Sequence, residues 1–99
     1  MSSDDASPSL YLSAAGTPAD YTEGLYRLYF EIRDADGAAE RIIRDFLGAE
    51  RVGQMCRLTY GFEIELPIQC VPDLVRLLVN SNIAIYQVVR YARVAGSWS

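Results

Sequence analysis

Apolar and polar residues alternate over Leu25–Ile32, the first regularly patterned segment of the chain. The even positions of this segment are apolar or aromatic, whereas the odd positions include Arg27 and Glu31. A period of two residues is typical of a strand that buries one of its faces. The pattern therefore predicts a first β-strand with a buried face and a mixed face.

A longer alternation runs over Cys56–Leu66 and predicts a single strand. Its even positions would point into the core, so that Cys56 would be a small core residue. Its odd positions would point outward: Arg57, Thr59, Gly61, Glu63 and Glu65. Gly61 indicates a bulge or a close approach of two backbones. Before this strand, the sequence predicts a short, weak strand around Val52.

Two segments carry apolar residues three and four positions apart, as amphipathic helices do. The first helix is expected from about Asp36 to Leu47, and Asp34 or Asp36 can cap it. The second is expected to begin at Pro72, because proline suits the first helical position, and to stop at Asn80–Asn82. Its predicted buried stripe consists of Leu74, Val75, Leu77 and Leu78.

A last strand is expected over about Ile83–Arg93, which completes the order β-α-β-β-α-β. This order predicts a ferredoxin-like α+β fold, in which a four-stranded antiparallel sheet carries two helices on one face. The expected strand order is 4-1-3-2, with the two most regular strands in the centre. The domain would span residues 25–94, between a flexible N-terminal arm or linker over residues 1–24 and a C-terminal tail over residues 95–99.

The length and composition of the chain indicate the size of its core and its location in the cell. The 99 residues suffice for one small core, and 51% of them are hydrophobic. No apolar run approaches the roughly 20 residues that span a bilayer, and the acidic, polar N-terminus does not resemble a secretory signal. We therefore expect a cytoplasmic protein without membrane insertion. The net charge of −4 argues against nucleic acid as a partner.

The sequence offers no group of residues suited to catalysis. It contains no His, and it has no Gly-rich loop followed by Lys that would hold a phosphate. The two cysteines are expected to be free and largely buried, and Cys70, although it lies near a helix start, is expected to have a structural role. Glu63 and Glu65 are expected to pair with Arg27 or Arg33. We therefore expect a protein that is not an enzyme and that binds no metal or cofactor.

The sheet face opposite the helices stays open in this fold, and we expect it to bind a partner. The candidate interaction surface consists of Leu25, Arg27, Tyr29, Arg57, Thr59 and Tyr91. An RNA-binding platform on this face is disfavoured, because only Tyr29 is a well-placed aromatic residue and the chain is acidic. A protein partner therefore suits this surface better.

The segment VPDLVRLLVNSNIAIYQV, over Val71–Val88, resembles a helix–strand unit in the C-terminal accessory domain of ABC transporter ATP-binding proteins. The matching positions are Pro72, Leu74, Leu77, Leu78, Ile83, Ile85, Tyr86 and Val88. Upstream, GTPADY over Gly16–Tyr21 resembles the sequence GTPAEL that closes the ATPase domain in those proteins. Leu25–Ile32 then falls where their accessory domain begins its first strand.

The resemblance implies a non-catalytic accessory domain, excised or stand-alone, that contacts the ATPase subunit or a second copy of itself and tunes assembly or transport. It does not extend to ATP hydrolysis, because the sequence has no Walker A or Walker B motif. The partner implied is therefore a protein.

Two alternatives remain open. One is a regulatory domain of the ACT-like kind, which shares this topology, dimerises and binds a small effector. The candidate contact for that effector is the loop RDADGA, over Arg33–Ala38. The other alternative is a stand-alone adaptor that acts through the open sheet face.

Overall fold

The computed structural model describes residues 14–98 of the chain. Along these residues the elements are β1 Gly24–Ile32, α1 Ala38–Leu47, β2 Met55–Leu58, β3 Gly61–Leu66, α2 Cys70–Asn80 and β4 Ile85–Ser97. The strands form one antiparallel sheet in the order β2-β3-β1-β4. This is the predicted order, so the ferredoxin-like α+β fold is confirmed. The part of the predicted N-terminal arm that precedes residue 14 lies outside the described residues.

The core lies between one face of the sheet and the two helices. The strands contribute the even positions of β1 and β3, and each helix contributes residues four positions apart. The buried core residues are Leu28, Phe30, Ile32, Ala39, Ile43, Leu47, Phe62, Ile64, Leu66, Leu74 and Leu78. Leu77 was expected among them, but it is 45% exposed because it lies at the margin of the α2 stripe.

Helix α1 begins two residues later than predicted, at Ala38, and both candidate caps are used. The Asp36 carboxylate accepts a hydrogen bond from the Ala38 N–H (3.1 Å). The Asp34 carboxylate accepts hydrogen bonds from the N–H groups of Ala39 and Glu40 (both 3.1 Å). These two side chains satisfy donors that have no partner inside the helix. The loop that follows β1 is therefore fixed by the first turn of α1.

The segment predicted as one strand over Cys56–Leu66 is instead a β-hairpin. Strands β2 and β3 are joined at Thr59 and Tyr60, and Arg57 pairs with Phe62 across the ladder. Because paired residues point to the same face of a sheet, Arg57 faces the helix side and Cys56 faces the open side. The prediction that Cys56 is a core residue was therefore wrong, and Cys56 is exposed.

The short strand expected around Val52 is also absent from the described residues. Val52–Gln54 forms a single 3₁₀ turn that leads directly into β2. The first strand of the hairpin therefore begins at Met55, three residues after Val52.

Residues 14–23 pack against the domain, so the packed structure begins before the predicted boundary at residue 25. The Gln69 side chain, beside the start of α2, donates hydrogen bonds to the carbonyls of Pro18 (2.7 Å) and Asp20 (3.0 Å). Tyr26, on the helix side of β1, donates its hydroxyl hydrogen bond to the Asp20 carboxylate (2.8 Å). The segment therefore extends the layer that covers this face of the sheet.

The C-terminal end is packed as well. Strand β4 continues to Ser97, beyond the expected end at Arg93 and into the segment predicted as a tail. Trp98 then returns to the core, where its ring lies 6.3 Å from the Phe46 ring. The Arg51 guanidinium lies 4.2 Å from the centre of the Trp98 ring and donates hydrogen bonds to the Trp98 carbonyl (2.8 and 3.0 Å).

Trp98→Ala is expected to lower the free energy of unfolding by about 2 kcal/mol, because it removes a half-buried ring together with one aromatic and one cation–π contact. Urea unfolding followed by far-UV circular dichroism measures this change. Tyr21→Ala removes another aromatic ring that is 78% exposed, and it should change the stability by less than about 0.5 kcal/mol. Equal losses in the two variants would contradict the assigned packing of Trp98.

Candidate interaction surface

The sheet face that the helices leave open is centred on Tyr29 in β1. Its cross-strand neighbours are Glu63 in β3 and Val89 in β4. Since side chains alternate along a strand, Arg27 and Glu31 flank Tyr29 on the same face. This face therefore carries both aromatic and charged groups, as the alternation in β1 predicted.

The structure brings together some of the predicted surface residues and separates others. Arg27, Tyr29 and Tyr91 belong to the open face, and Thr59 lies in the hairpin turn at its border. Leu25 is only 2% exposed and pairs with Val94, so its side chain is not available to a partner. The prediction that Arg57 lies on the open face was wrong, because its side chain points to the helix side of the sheet.

Arg57 contacts helix α1 instead of the open face. Its guanidinium lies 2.7 Å from the Glu40 carboxylate and 3.6 Å from that of Asp34. Hydrogen bonds from Arg57 and then Arg44 hold the pKa of the Glu40 carboxyl below its usual value. The hairpin register explains this placement, because it turns Arg57 toward the side on which Phe62 is buried.

Four exposed or half-exposed tyrosines gather around the end of the hairpin. Tyr29, Tyr60 and Tyr91 line a shallow cleft of about 410 Å³ together with Leu58, Thr59 and Glu63. Tyr86 lines a neighbouring cleft, which Leu58, Thr59 and Tyr60 also line. We call these apolar side chains the tyrosine patch: Tyr29, Leu58, Tyr60, Tyr86 and Tyr91.

The neighbouring cleft is larger, at about 670 Å³, and it lies where β1 leads into α1. Its lining includes Arg33, Asp34 and Ala35 as well as Tyr60 and Tyr86. These residues belong to the loop over Arg33–Ala38, which the sequence predicts as the contact for a small effector. The two clefts adjoin, because Leu58, Thr59 and Tyr60 line both of them.

No family model, no curated protein and no solved structure matches the chain. The likeness to ABC transporter ATP-binding proteins thus depends on the sequence pattern and stays a prediction.

Some of the charged side chains on the open face form ion pairs within the described part of the chain, and one does not. Arg27 lies between Glu63 (3.8 Å) and Glu65 (3.4 Å), which confirms the predicted cross-strand pairing. These groups are partly exposed, so the pairs contribute little to stability. Glu31 makes no ion pair within residues 14–98. The face therefore carries more negative than positive charge.

The surroundings of the Tyr29 hydroxyl disfavour its ionised form. Burial raises the pKa of the Tyr29 hydroxyl, and the Glu31 carboxylate, Tyr91 and Tyr60 raise it further. A negative neighbour acts in this direction because it disfavours the phenolate. A cation that bound beside Tyr29 would have the opposite effect.

The described residues suggest no nucleophile on this surface. Cys56 is exposed on the open face, but no acid or base contacts its thiol; its Sγ lies 3.8 Å from the Arg57 carbonyl oxygen. Burial, followed by the Asp73 carboxylate, raises the pKa of the Cys70 thiol and disfavours a thiolate. Within residues 14–98 no group of three His, Cys, Asp or Glu residues is placed to hold a metal ion, and no helix is long and apolar enough to cross a membrane.

Proposed function

We propose that the chain is a cytoplasmic, non-catalytic regulatory domain whose tyrosine patch contacts a protein partner. Seven large hydrophobic residues are exposed within residues 14–98, and four of them belong to this patch: Leu58, Tyr60, Tyr86 and Tyr91. Such clustering is the observation that carries the proposal, because scattered exposed apolar residues are normal whereas a continuous aromatic surface is typical of interfaces.

The sequence resemblance supports a particular partner, the ATP-binding subunit of an ABC transporter, or a second copy of the domain. In that arrangement the helix α2 closes the core, and β4 leads along the edge of the sheet to the patch at Tyr86 and Tyr91. The domain would tune assembly or transport without hydrolysing ATP. A partner bound to the open face would not displace the helices, which cover the core on the other side of the sheet.

Site-specific photo-crosslinking tests this proposal in the cells that produce the protein. Benzoylphenylalanine at position 60 places the reactive group in the patch, and the same residue at position 21 is the matched control. Both positions carry tyrosines that are mostly exposed, 71% and 78%, but they lie at opposite ends of β1. We expect a light-dependent adduct with one protein at position 60 and none at position 21.

The identity of the adduct decides between the finer proposals. An ATP-binding subunit identified by mass spectrometry would support the ABC transporter role, and an adduct of twice the chain mass would support self-association. The absence of an adduct at position 60, or the same adducts at both positions, would contradict the proposed use of the patch.

A second candidate function, sensing of a small effector, is favoured by the larger cleft. Its volume of about 670 Å³ lies within the range of small-molecule sites, roughly 300–1,000 Å³. Arg33 lines it and makes no ion pair within the described residues, so its guanidinium is available to an anionic group. A carboxylate of an amino acid has the matching charge.

Thermal unfolding with a panel of amino acids and nucleotides, combined with light scattering, separates the two functions. A ligand present at 100 times its Kd should stabilise the protein by about 2.7 kcal/mol. A response to one compound that Arg33→Ala abolishes would establish the sensor and displace the first proposal. Indifference to every compound is the result expected of a domain that acts through protein contacts.

A further inference from the structure

Arginine side chains cover aromatic rings elsewhere in this molecule. The three such contacts within residues 14–98 are Arg51 on Trp98 (4.2 Å), Arg57 on Phe62 (5.6 Å) and Arg90 on Tyr26 (5.8 Å). None of them involves Tyr29, Tyr60 or Tyr91. The rings of the shallow cleft thus have no cation stacked on them from the described part of the chain.

The charges around the cleft favour a cation from outside. Glu63 lines it directly, and Glu31 flanks Tyr29 without an ion pair of its own among residues 14–98. The nearby cation, Arg27, is held between Glu63 and Glu65. An incoming positive group would therefore meet tyrosine rings and carboxylates together, and both attract cations.

We infer that the cleft between Tyr29, Tyr60 and Tyr91 binds the guanidinium of an arginine presented by the protein partner. This inference rests on the proposed function and names the chemistry of that partner. A guanidinium stacks flat on an aromatic ring and donates two hydrogen bonds to a carboxylate such as Glu63. Leu58 and Thr59 complete the lining, so the apolar stem of the arginine has a surface to cover.

Arginine suits this cleft better than the other occupants. Lysine carries a compact, strongly hydrated charge that does not stack. A second copy presents the same acidic face, and the whole chain carries a net charge of −4, so self-association is opposed by like charge. A basic segment of another protein is electrostatically complementary to the face.

The test uses the full chain and two peptides. One is an acetylated, amidated peptide with three arginines separated by glycines, and the other replaces each arginine with neutral citrulline of the same shape. Amide chemical shifts report binding. We expect the arginine peptide to shift residues of β1, the hairpin turn and β4 at low salt, with weaker binding at about 0.15 M salt, and we expect no binding of the citrulline peptide. Free arginine should bind far more weakly than the peptide.

Variants identify the groups that bind the cation. Tyr60→Ala and Tyr91→Ala are each expected to weaken binding about threefold, and together about tenfold, whereas Tyr60→Phe keeps the ring face and should bind as the native chain does. Glu63→Gln should weaken binding. Arg27→Ala should strengthen it about twofold, because a competing cation is removed. Tyr21→Ala is the matched control and should change nothing.

Binding of the citrulline peptide as tightly as the arginine peptide would overturn the inference, and so would unchanged binding in the Tyr60→Ala, Tyr91→Ala double variant. Light scattering during the titration identifies a second copy as the occupant if the mass doubles without peptide, which also overturns it. The failure of the inference and that of the proposed function are distinguishable. A crosslinked partner at position 60 without arginine binding refutes only the inference. Arginine binding without a crosslink refutes the proposed function, and of the inference it leaves the affinity of the cleft for arginine but not the protein partner.

Discussion

Replacing Gly61 with alanine is expected to lower the free energy of unfolding by about 3 kcal/mol or more. A Cβ at this position would overlap the Phe30 carbonyl oxygen and would lie 3.0 Å from the Glu31 Cα, and all of these atoms belong to the backbone of the central strands. Backbone in the centre of a sheet cannot move without disturbing the neighbouring ladder. The close approach that the sequence predicted at Gly61 is thus confirmed, and it leaves no room for a side chain.

Gly53→Ala is the matched control for this prediction. Gly53 has open space within 4 Å of its would-be Cβ and no positive φ. Alanine there should leave the stability unchanged or raise it by up to about 1 kcal/mol, because it restricts the unfolded chain. Urea unfolding of the two variants measures the difference. A loss of less than about 1 kcal/mol for Gly61→Ala would show that β1 and β3 can separate at this point.

Much of the fold was predictable because one physical rule governs β1 and the helices. Each buries a single face, and the alternation in Leu25–Ile32 and the helical spacing in Ala39, Ile43 and Leu47 record that burial directly in the sequence. The strand order then follows from how two β-α-β units share a sheet.

The hairpin was not predictable from alternation alone. A two-residue turn at Thr59 and Tyr60 pairs Leu58 with Gly61, so residues of opposite parity point to the same face on either side of the turn. The apolar pattern runs through the turn without interruption and hides this reversal. Its length was the available signal, since a run of eleven residues is about twice the usual strand length of 5–6 residues.

The wrong prediction of a single strand over Cys56–Leu66 explains why some residues were assigned to the wrong face of the sheet. With one continuous strand, Leu58 and Tyr60 were assigned to the core and Arg57 to the surface. In the structure Leu58 and Tyr60 are 40% and 71% exposed, and Arg57 contacts Glu40 on α1. The sequence nevertheless predicted the position of Arg27, Tyr29 and Tyr91 on the open face, because β1 obeys simple alternation and β4 lies beside it.

The burial of Leu25 could not be predicted from alternation. Alternation correctly places it on the open side of β1, yet it is 2% exposed. Strand β4 continues to Ser97 with register shifts near Gly24 and Tyr26. Gly96, near the end of β4, lies close to the Leu25 side chain, since a Cβ on Gly96 would be 3.4 Å from the Leu25 Cδ1. No period in the sequence signals a register shift or this contact.

Asp20→Ala is expected to lower the free energy of unfolding by about 3 kcal/mol at neutral pH, because charged hydrogen bonds at a buried site would be lost. The Asp20 carboxylate accepts hydrogen bonds from the N–H groups of Gly16 (2.8 Å) and Thr22 (3.0 Å). It also accepts them from the hydroxyls of Thr22 (2.7 Å) and Tyr26 (2.8 Å). The Tyr26 hydroxyl, on a residue only 3% exposed, would lose its partner.

Two further variants make the origin of this loss measurable. Tyr26→Phe removes one donor and leaves the carboxylate with three, so it should cost about 1 kcal/mol. Asp45→Ala removes an exposed carboxylate from α1 and should change the stability by less than about 0.5 kcal/mol. Similar losses for Asp20→Ala and Asp45→Ala would show that net charge, and not the hydrogen bonds, is responsible.

The effect of Asp20 should also depend on pH in a defined direction. The hydrogen bonds from Gly16, followed by those from Thr22 and Tyr26, hold the pKa of the Asp20 carboxyl well below its usual value. As the pH falls below about 3.9, the unfolded chain takes up a proton that the folded chain does not. The stability that Asp20 contributes is therefore complete above about pH 5 and declines by up to about 1.4 kcal/mol per pH unit below about pH 4.

The difference in unfolding free energy between the native chain and Asp20→Ala should accordingly shrink between about pH 4 and pH 2. Urea unfolding at several pH values measures it. A difference that stays constant over this range would mean that the carboxyl is not held ionised by its four donors. Because the Tyr26 hydroxyl joins the Asp20 carboxylate to β1, a shrinking difference that Tyr26→Phe reduces would also support the inclusion of GTPADY in the folded domain.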